Sequence, residues 1–533
     1  MTEPMVDGAT LAEIDEDGRN DLFDRLQVRM PDVWRAMRRD DEGESVVVVP
    51  SMTLDRVVAN AGGMSQALEE RFLFFLLLLR QPRLRLVYVT SQPINPLIVE
   101  YYLSLLPGVI PSHARARLSL VSADDSGPEA LTEKLLARPR LVRQIRDLVP
   151  DRARSHLIPY NTTALERDLS LMLGIPMYGA DPRLFHLGTK TGCRRLFARA
   201  GVAYPAGSED LHTRSDLEAA LKALRRDRPD ARAAMVKLNE GVSGAGNAVV
   251  DLTGLPPAGA ADEAPAVGAR LRAMELEDDR IEVDAFLAKL RERGGIVEER
   301  VVGDELRSPS VQMRVTPLGE VEVLSTHDQV LGGPSGQSYL GCRFPADGQY
   351  AALIAEDAVR VGEVLAREGV LGRFAVDFVT VRRGGVWQAH AIEVNLRKGG
   401  TTHPFLTLQF LTDGRYDPEA GRFLTPRGEE RHLVATDHLE APELRGLRVE
   451  DVLDLVVRAG LHFDQARQSG VVFHMLSALT TFGRVGMTAI AASPASAQAL
   501  YAEAEHALLG EAALALRPPS LPIPVTAPRP LRG

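Results

Sequence analysis

Arg373-Phe374-Ala375-Val376-Asp377-Phe378-Val379 and Ala391-Ile392-Glu393-Val394-Asn395-Leu396-Arg397-Lys398-Gly399-Gly400 are the two runs whose pairing decides the fold. Both read as strands. In the second, side chains two apart share a face, so Ile392, Val394 and Leu396 point one way and Glu393, Asn395 and Arg397 the other. Arg382-Arg383-Gly384-Gly385 supplies turn chemistry between them and predicts a hairpin that returns Glu393 close to Asp377, to within about one residue of register. The apolar trio would anchor the strand in a core while the polar trio lines a cavity. Asp, Glu and Asn on one sheet face are hard oxygen ligands suited to magnesium beside a phosphate chain. A lone acidic residue on a strand is most often solvated. A polar stripe that runs on into Lys-Gly-Gly is less usual.

The rest of the chain bounds the setting. Its 533 residues exceed one hydrophobic core, which predicts two to four domains at about 100–200 residues each. A 45% hydrophobic and 25% charged composition is that of an ordinary globular protein. The net charge of −10 argues against a nucleic-acid partner, which needs a basic face. Two cysteines, Cys193 and Cys342, cannot make a disulfide framework or a thiolate zinc site, and they read as inert packing residues in a reducing cytoplasm. The N-terminus is acidic (Glu13, Asp15, Glu16, Asp17) and does not read as a signal peptide. The most apolar run, Phe72 to Leu79, is far short of the ~20 residues that span a bilayer and reads as a buried helix, so no membrane partner is expected. The proline-rich end from Arg517 to Gly533 reads as a tail.

Strand and helix signals alternate over roughly residues 1–160, as in an open α/β domain. Ser45–Pro50, Leu84–Thr90 and Leu118–Val121 are its strands, and no Gly-x-Gly-x-x-Gly follows any of them, so a dinucleotide fold is not supported. Roughly 161–440 form a second unit, with one lobe at about 190–300 and another at about 301–440, and roughly 441–533 form a small third domain. The Gly188–Phe197 run reads as a basic helix closed by a glycine. Two β runs, Ala233–Leu238 and Ala248–Val250, flank Asn239-Glu240-Gly241-Val242-Ser243-Gly244-Ala245-Gly246-Asn247. Glycines there, with Ser243 and Asn247, let backbone N–H groups approach a phosphate, and Lys237 could neutralise it. The loop is neither a Walker loop nor a serine-hydrolase elbow, because strand follows and the second elbow glycine is Ala245. Taken alone, the loop reads better as a flexible hairpin.

The ordered set does not read as separate accidents. Lys190, Lys237, the glycine loop, a Glu-rich strand ending Val302-Gly303-Asp304-Glu305, then Asp377 and Glu393-Val394-Asn395 resemble the ATP-grasp superfamily. Pro176–Pro182, the Gly188–Phe197 run, Glu393–Pro404 and the Val471–Leu476 unit look like the peptide ligases of the pheganomycin type within it. The resemblance implies a multidomain α/β and α+β protein: a pre-ATP-grasp domain, two lobes clamping ATP, and a small C-terminal α+β domain. It implies that Lys190 and Lys237 contact phosphates, and that the backbone at Glu298, Glu299 and Val301 meets adenine. Glu305 would hold the ribose. Gly241, Ser243, Gly244, Gly246 and Asn247 would close over the β- and γ-phosphates. Asp377, Glu393 and Asn395 would hold two Mg2+ (or Mn2+) ions. Arg397, which shares their face, would stabilise an acyl phosphate together with N–H groups near Gly399 and Gly400.

The implied activity is ATP-dependent joining of a small-molecule or peptide carboxylate to an amine, releasing ADP and phosphate. A carboxylase, an acyl-phosphate-forming kinase or a silent ATP-binding regulator are the alternatives. Candidate substrate contacts are His327, Gln329, Thr401 and His403, with Gly399 and Gly400. Arg373 is a further candidate, but it stands four positions before Asp377, whereas D-alanine ligases carry the comparable arginine two positions before, so its role is open. His474 reads as a structural histidine. The oligomeric state stays open, a homodimer being one alternative.

Overall fold

Four short apolar strands build the first layer: β1 (Ser45–Val49), β2 (Arg85–Thr90), β3 (Leu118–Ser122) and β4 (Ser155–Pro159). They pair parallel in the order β3-β2-β1-β4. Every residue of β1 is buried, as expected for a parallel sheet covered on both faces. The computed structural model describes residues 8–39, 43–53, 64–241, 246–278, 281–332 and 338–516. The apolar run near Phe72 forms a buried 3-10 helix, Leu73–Arg80. It packs on the helix Thr402–Thr412, where Phe74 meets Phe410 and Arg80 donates to the Phe410 carbonyl.

A second, antiparallel sheet follows: β5 (Gly207–Leu211), β6 (Ala233–Leu238), β7 (Asn247–Asp251), β8 (Glu275–Leu276) and β9 (Gly295–Glu299), in the order β5-β9-β6-β7-β8. The helix Lys190–Ala200 leads into it. Thr189 caps its start and Gly201, at φ +65°, ends it, a conformation that costs an L side chain about 1 kcal/mol.

The third sheet carries β10 (Glu305–Arg307), β11 (Pro309–Val315), β12 (Val321–Gly332), β13 (Ser338–Phe344), β14 (Gly372–Arg383) and β15 (Val386–Asn395). β15 pairs with β14, which meets both β10 and β11. A small hairpin, β16 (Arg415–Asp417) and β17 (Arg422–Leu424), lies apart. The sheet then continues through β18 (His432–Glu440), β20 (Arg484–Ala491) and β19 (Gly470–His474). β18 belongs to the lobe expected at about 301–440, and the segment expected to form a small C-terminal domain is joined to it by continuous strand pairing, β18 to β20 and β20 to β19.

Binary patterning fixes how this sheet faces. Ile354, Ala358, Val361 and Leu365, at helical spacing on the helix Ala351–Arg367, pack on Phe374, Val376 and Phe378 of β14 and Val394 of β15. Each such large side chain contributes roughly 1.5–3 kcal/mol on burial. Alternation then turns Arg373, Asp377, Glu393 and Asn395 to the other face, alongside Ser310, Gln312 and Arg314 of β11.

Candidate active site

The β14–β15 turn is made by Gly384 and Gly385, both in the left-handed region (φ +55° and +85°), as a tight hairpin requires. It sets Asp377 directly opposite Glu393, and Ala375 opposite Asn395. A bulge at Asp377/Phe378 leaves Ile392 without a counterpart and re-aims the chain at this point. Asp377 accepts at Oδ1 from Gln329 Nε2 (3.0 Å) and at Oδ2 from Asn395 Nδ2 (2.9 Å). Burial, with Glu393 facing it, pushes the Asp377 carboxyl up to about 6.

Lys190 pairs with Glu393. Burial opposes both charges, but each partner outweighs it, so Lys190 is held above its ordinary range and Glu393 below its own. The lysine is placed by its helix N-terminus, whose Lys190 and Thr191 N–H groups donate to the Asn239 carbonyl (3.1 Å) and side chain (2.9 Å) at the end of β6. One turn of structure thereby ties Lys190 to the strand bearing Lys237. Lys237 pairs with Glu298 at 2.5 Å, and Arg194 lies 3.8 Å from the same carboxylate. Arg397 donates to the Tyr160 hydroxyl (3.0 Å), and its guanidinium lies 5.7 Å from that ring's centre.

One cleft is lined by Glu393, Asn395 and Arg397 from the third sheet's side and by Leu238, Gly241 and Gly246 from the second sheet's side. Asn161, Phe185, Lys289 and Arg293 complete it. None of those four stood out in the sequence. Lys289 and Arg293 are four apart on the helix Val283–Arg293, a spacing that looks like any solvated helix face.

Other sequence candidates fall in varied places. Ser243 and Gly244 lie outside the described residues; Gly246 has φ +106° and Asn247 opens β7. Glu299 is held by the Ala206 N–H (3.1 Å) and Arg228 (3.2 Å), while Val301 lies in the connection between lobes. Glu305 sits on β10 between Arg307 and Arg382. Gly399 donates to Thr402 Oγ1 (3.0 Å), a Cβ on Gly400 would meet the Tyr339 ring at 2.5 Å, and Thr401 Oγ1 accepts from Gln312 (2.7 Å). Two expected substrate contacts are instead interior. His327 is fully buried, because Phe344, with Phe405 of the helix Thr402–Thr412, packs over its ring and closes that part of β12 off from the cleft. His403, 2% exposed, bonds to Asp437 and His474 rather than facing the cleft. Both thiols are pushed up to about 12 by burial, and Cys193 accepts from the Val394 N–H at 3.2 Å, backing the strand that carries Glu393 and Asn395.

Residues 182–276 and 281–419 match the family described as IQCH-like, ATP-grasp, and residues 451–504 match the PGM1 C-terminal domain. An L-propargylglycine–L-glutamate ligase of Streptantibioticus cattleyicolor is 31% identical over 493 residues, covering 90% of this chain and 97% of that protein. The chain belongs to the ATP-grasp ligase family. IQ motif-containing protein H of Danio rerio is 24% identical over 448 residues, 74% of this chain but 42% of that longer protein. Among solved structures, the biotin carboxylase domain of Hydrogenobacter thermophilus 2-oxoglutarate carboxylase superposes with a TM-score of 0.51 at 13% identity, covering 87% of this chain and 90% of its own. That likeness is one of fold, and it agrees with the ATP-grasp layout of paired lobes behind an α/β domain. No helix among the described residues is long and apolar enough to cross a membrane.

Proposed function

We propose that this ATP-grasp ligase joins a carboxylate to an amine through an acyl phosphate, releasing ADP and phosphate. The observation that carries the reading is the facing of Asp377 and Glu393, with Asn395 beside them, across one cleft from the glycine-loop wall and within reach of Lys190. The donor set fits a hard divalent cation: two carboxylates and an amide oxygen, with Asp377 held up to about 6 by burial and its neighbouring acid. Asp377, Glu393 and Asn395 would hold magnesium, which neutralises phosphoryl charge as the phosphate is transferred.

The chain's own residues do the rest. Lys190 and Lys237 place the phosphate chain of ATP, each exchanging a carboxylate partner for phosphate oxygens. A substrate carboxylate oxygen attacks the γ-phosphorus in line; the bond to the bridging oxygen breaks and ADP leaves. Arg397, steadied by Tyr160, faces the acyl phosphate and then the tetrahedral oxyanion formed when the amine attacks the carbonyl carbon. Phosphate departs with the carbonyl–oxygen bond pair, and the amine loses its proton to solvent. The relative named for L-propargylglycine and L-glutamate supports amino acids or short peptides as both substrates.

Glu393→Ala should cut amine-dependent ADP formation by about 10³-fold or more, with the unfolding midpoint little changed. Near-wild-type turnover in this variant would remove the site from the reaction. ADP release that needs bicarbonate, or no amine, would mark a carboxylase or kinase instead.

A further inference from the structure

Two residues along the strand from the metal-facing group, the same sheet face turns basic. Arg373 on β14 lies opposite Arg314 on β11, and Lys398 follows directly on Arg397. The N-terminal domain covers them. Trp34, on the helix Met30–Arg39, stacks on Tyr178 (5.7 Å between ring centres), and Arg314 lies 4.9 Å from the Trp34 ring centre. His156 of β4 meets Tyr178 edge-on at 6.3 Å. Gly372 approaches the Gly179 backbone so closely that a Cβ there would lie 3.0 Å from its Cα. The two domains are in contact around Arg373 and Arg314.

The charges here do not balance. Glu322 pairs with Arg314 (Nε 2.7 Å), but neither Arg373 nor Lys398 meets a carboxylate among the described residues. Arg373 Nη1 and Trp34 Nε1 are buried with no hydrogen-bond partner. Lys398 is 6% exposed, and its ammonium donates to the Pro159 carbonyl. Burial holds Lys398 down to about 7 and Arg373 down to about 10, with Arg373 pressing on Lys398 and Arg314 on Arg373, and with Glu322 offsetting only part of this at Arg373. His156, held down to about 4 by burial, brings no negative charge. Cations are rarely buried without a counter-charge, and unpaired buried donors are rarer still.

We propose that Arg373, Lys398 and the Trp34 indole N–H seat a second, non-reacting carboxylate of one substrate, so that the enzyme takes an acidic amino acid or a peptide with a free C-terminus. This rests on the ligase reading of the neighbouring site. Asn395 lies opposite Ala375, two residues and about 7 Å along the strand from Arg373, a span that a short dicarboxylate or a dipeptide bridges. A planar guanidinium fork and an indole N–H each match a planar carboxylate, and the lysines already assigned to phosphate pair elsewhere, with Glu393 and Glu298.

The test is thermal unfolding of the full chain without ATP. The probes are L-aspartate or L-glutamate against L-asparagine or L-glutamine, Ala-Ala against its C-terminal amide, and inorganic phosphate. At saturation at least one free carboxylate probe raises Tm by roughly 2–4 °C, and its amide does not. Lys398→Met, Arg373→Met and the shape-preserving Trp34→Phe each lose that rise. In ADP-release assays the same variants raise KM for the carboxylate-bearing substrate at least tenfold and leave KM for ATP unchanged. Equal stabilisation by acids and amides, stabilisation by phosphate alone, no stabilisation by any carboxylate probe, or a rise that persists in the variants would overturn the proposal. Failure of the ATP-free arm leaves the ligase reading standing. An intact ATP-free arm with no amine-dependent ADP release would instead remove the ligase reading.

Discussion

Two buried clusters of charge lie close to the strand that carries Glu393 and Asn395, and they are built on opposite terms. Around Asp437 the charges are answered, although Arg71 Nε and His403 Nδ1 are buried with no hydrogen-bond partner. Arg71 donates to Oδ2 (2.9 Å), while His403 and His474 meet Oδ1 at 3.0 and 2.8 Å. Burial works against the carboxylate, yet His403 and Arg71 more than offset it and hold Asp437 well below the usual range. The four residues come from the N-terminal domain, the helix Thr402–Thr412, β18 and β19, so the cluster pins three parts of the chain together. Its histidine and carboxylate atoms are close enough to hold a cation, but Arg71 already supplies the positive charge there. Around Arg373 and Lys398 the cations have no such answer. A balanced buried cluster marks a joint; an unbalanced one beside a reactive cleft marks a place for a ligand.

Mutation should separate the two. Asp437→Ala strands Arg71 in the interior and is expected to cost about 3–5 kcal/mol in denaturant unfolding; a loss under about 1 kcal/mol would show that the joint carries no weight. His474→Phe removes one donor while Arg71 and His403 remain, and should cost about 1–2 kcal/mol.

The basic pocket should give the reverse sign. Folded Lys398 sits at about 7, below the ~10.4 of an unfolded lysine. Between those values the unfolded chain binds the extra proton, so this lysine makes stability rise as pH climbs through 7, and its full cost applies below 7. Arg373 keeps its charge over that range and His156 stays neutral, while Glu69 and Glu70, held up to about 7 by burial, contribute equally to wild type and variant, so the difference between the two reports Lys398. Lys398→Met should therefore be more stable than wild type by on the order of 1 kcal/mol below pH 7, with the advantage shrinking towards pH 10. A variant less stable than wild type at pH 6 would place Lys398 in the joint rather than the pocket.

The sequence made local features legible. Asp377 facing Glu393 followed from strand alternation and the Gly384-Gly385 turn, whereas Lys190 came from the resemblance to ATP-grasp proteins. What stayed hidden depends on pairing between distant segments. Trp34, Arg71 and Tyr160 reach the site only because the N-terminal domain packs over β11 and β14. His327 and His403 looked polar and near the site, but β12 and the helix Thr402–Thr412 turn them inward. The continuation of the third sheet into β18–β20 was equally invisible, since strand patterning shows that a segment is a strand but not which strand it joins.

The central claim is that a substrate carboxylate is phosphorylated on the face made by Asp377, Glu393 and Asn395. Its most direct test is single turnover with an accepted acid labelled with 18O in the reacting carboxylate, followed by mass analysis of the inorganic phosphate. The account predicts one 18O atom in each phosphate, with ADP as the nucleotide product, and transfer abolished in Glu393→Ala. Unlabelled phosphate, or AMP in place of ADP, would contradict it.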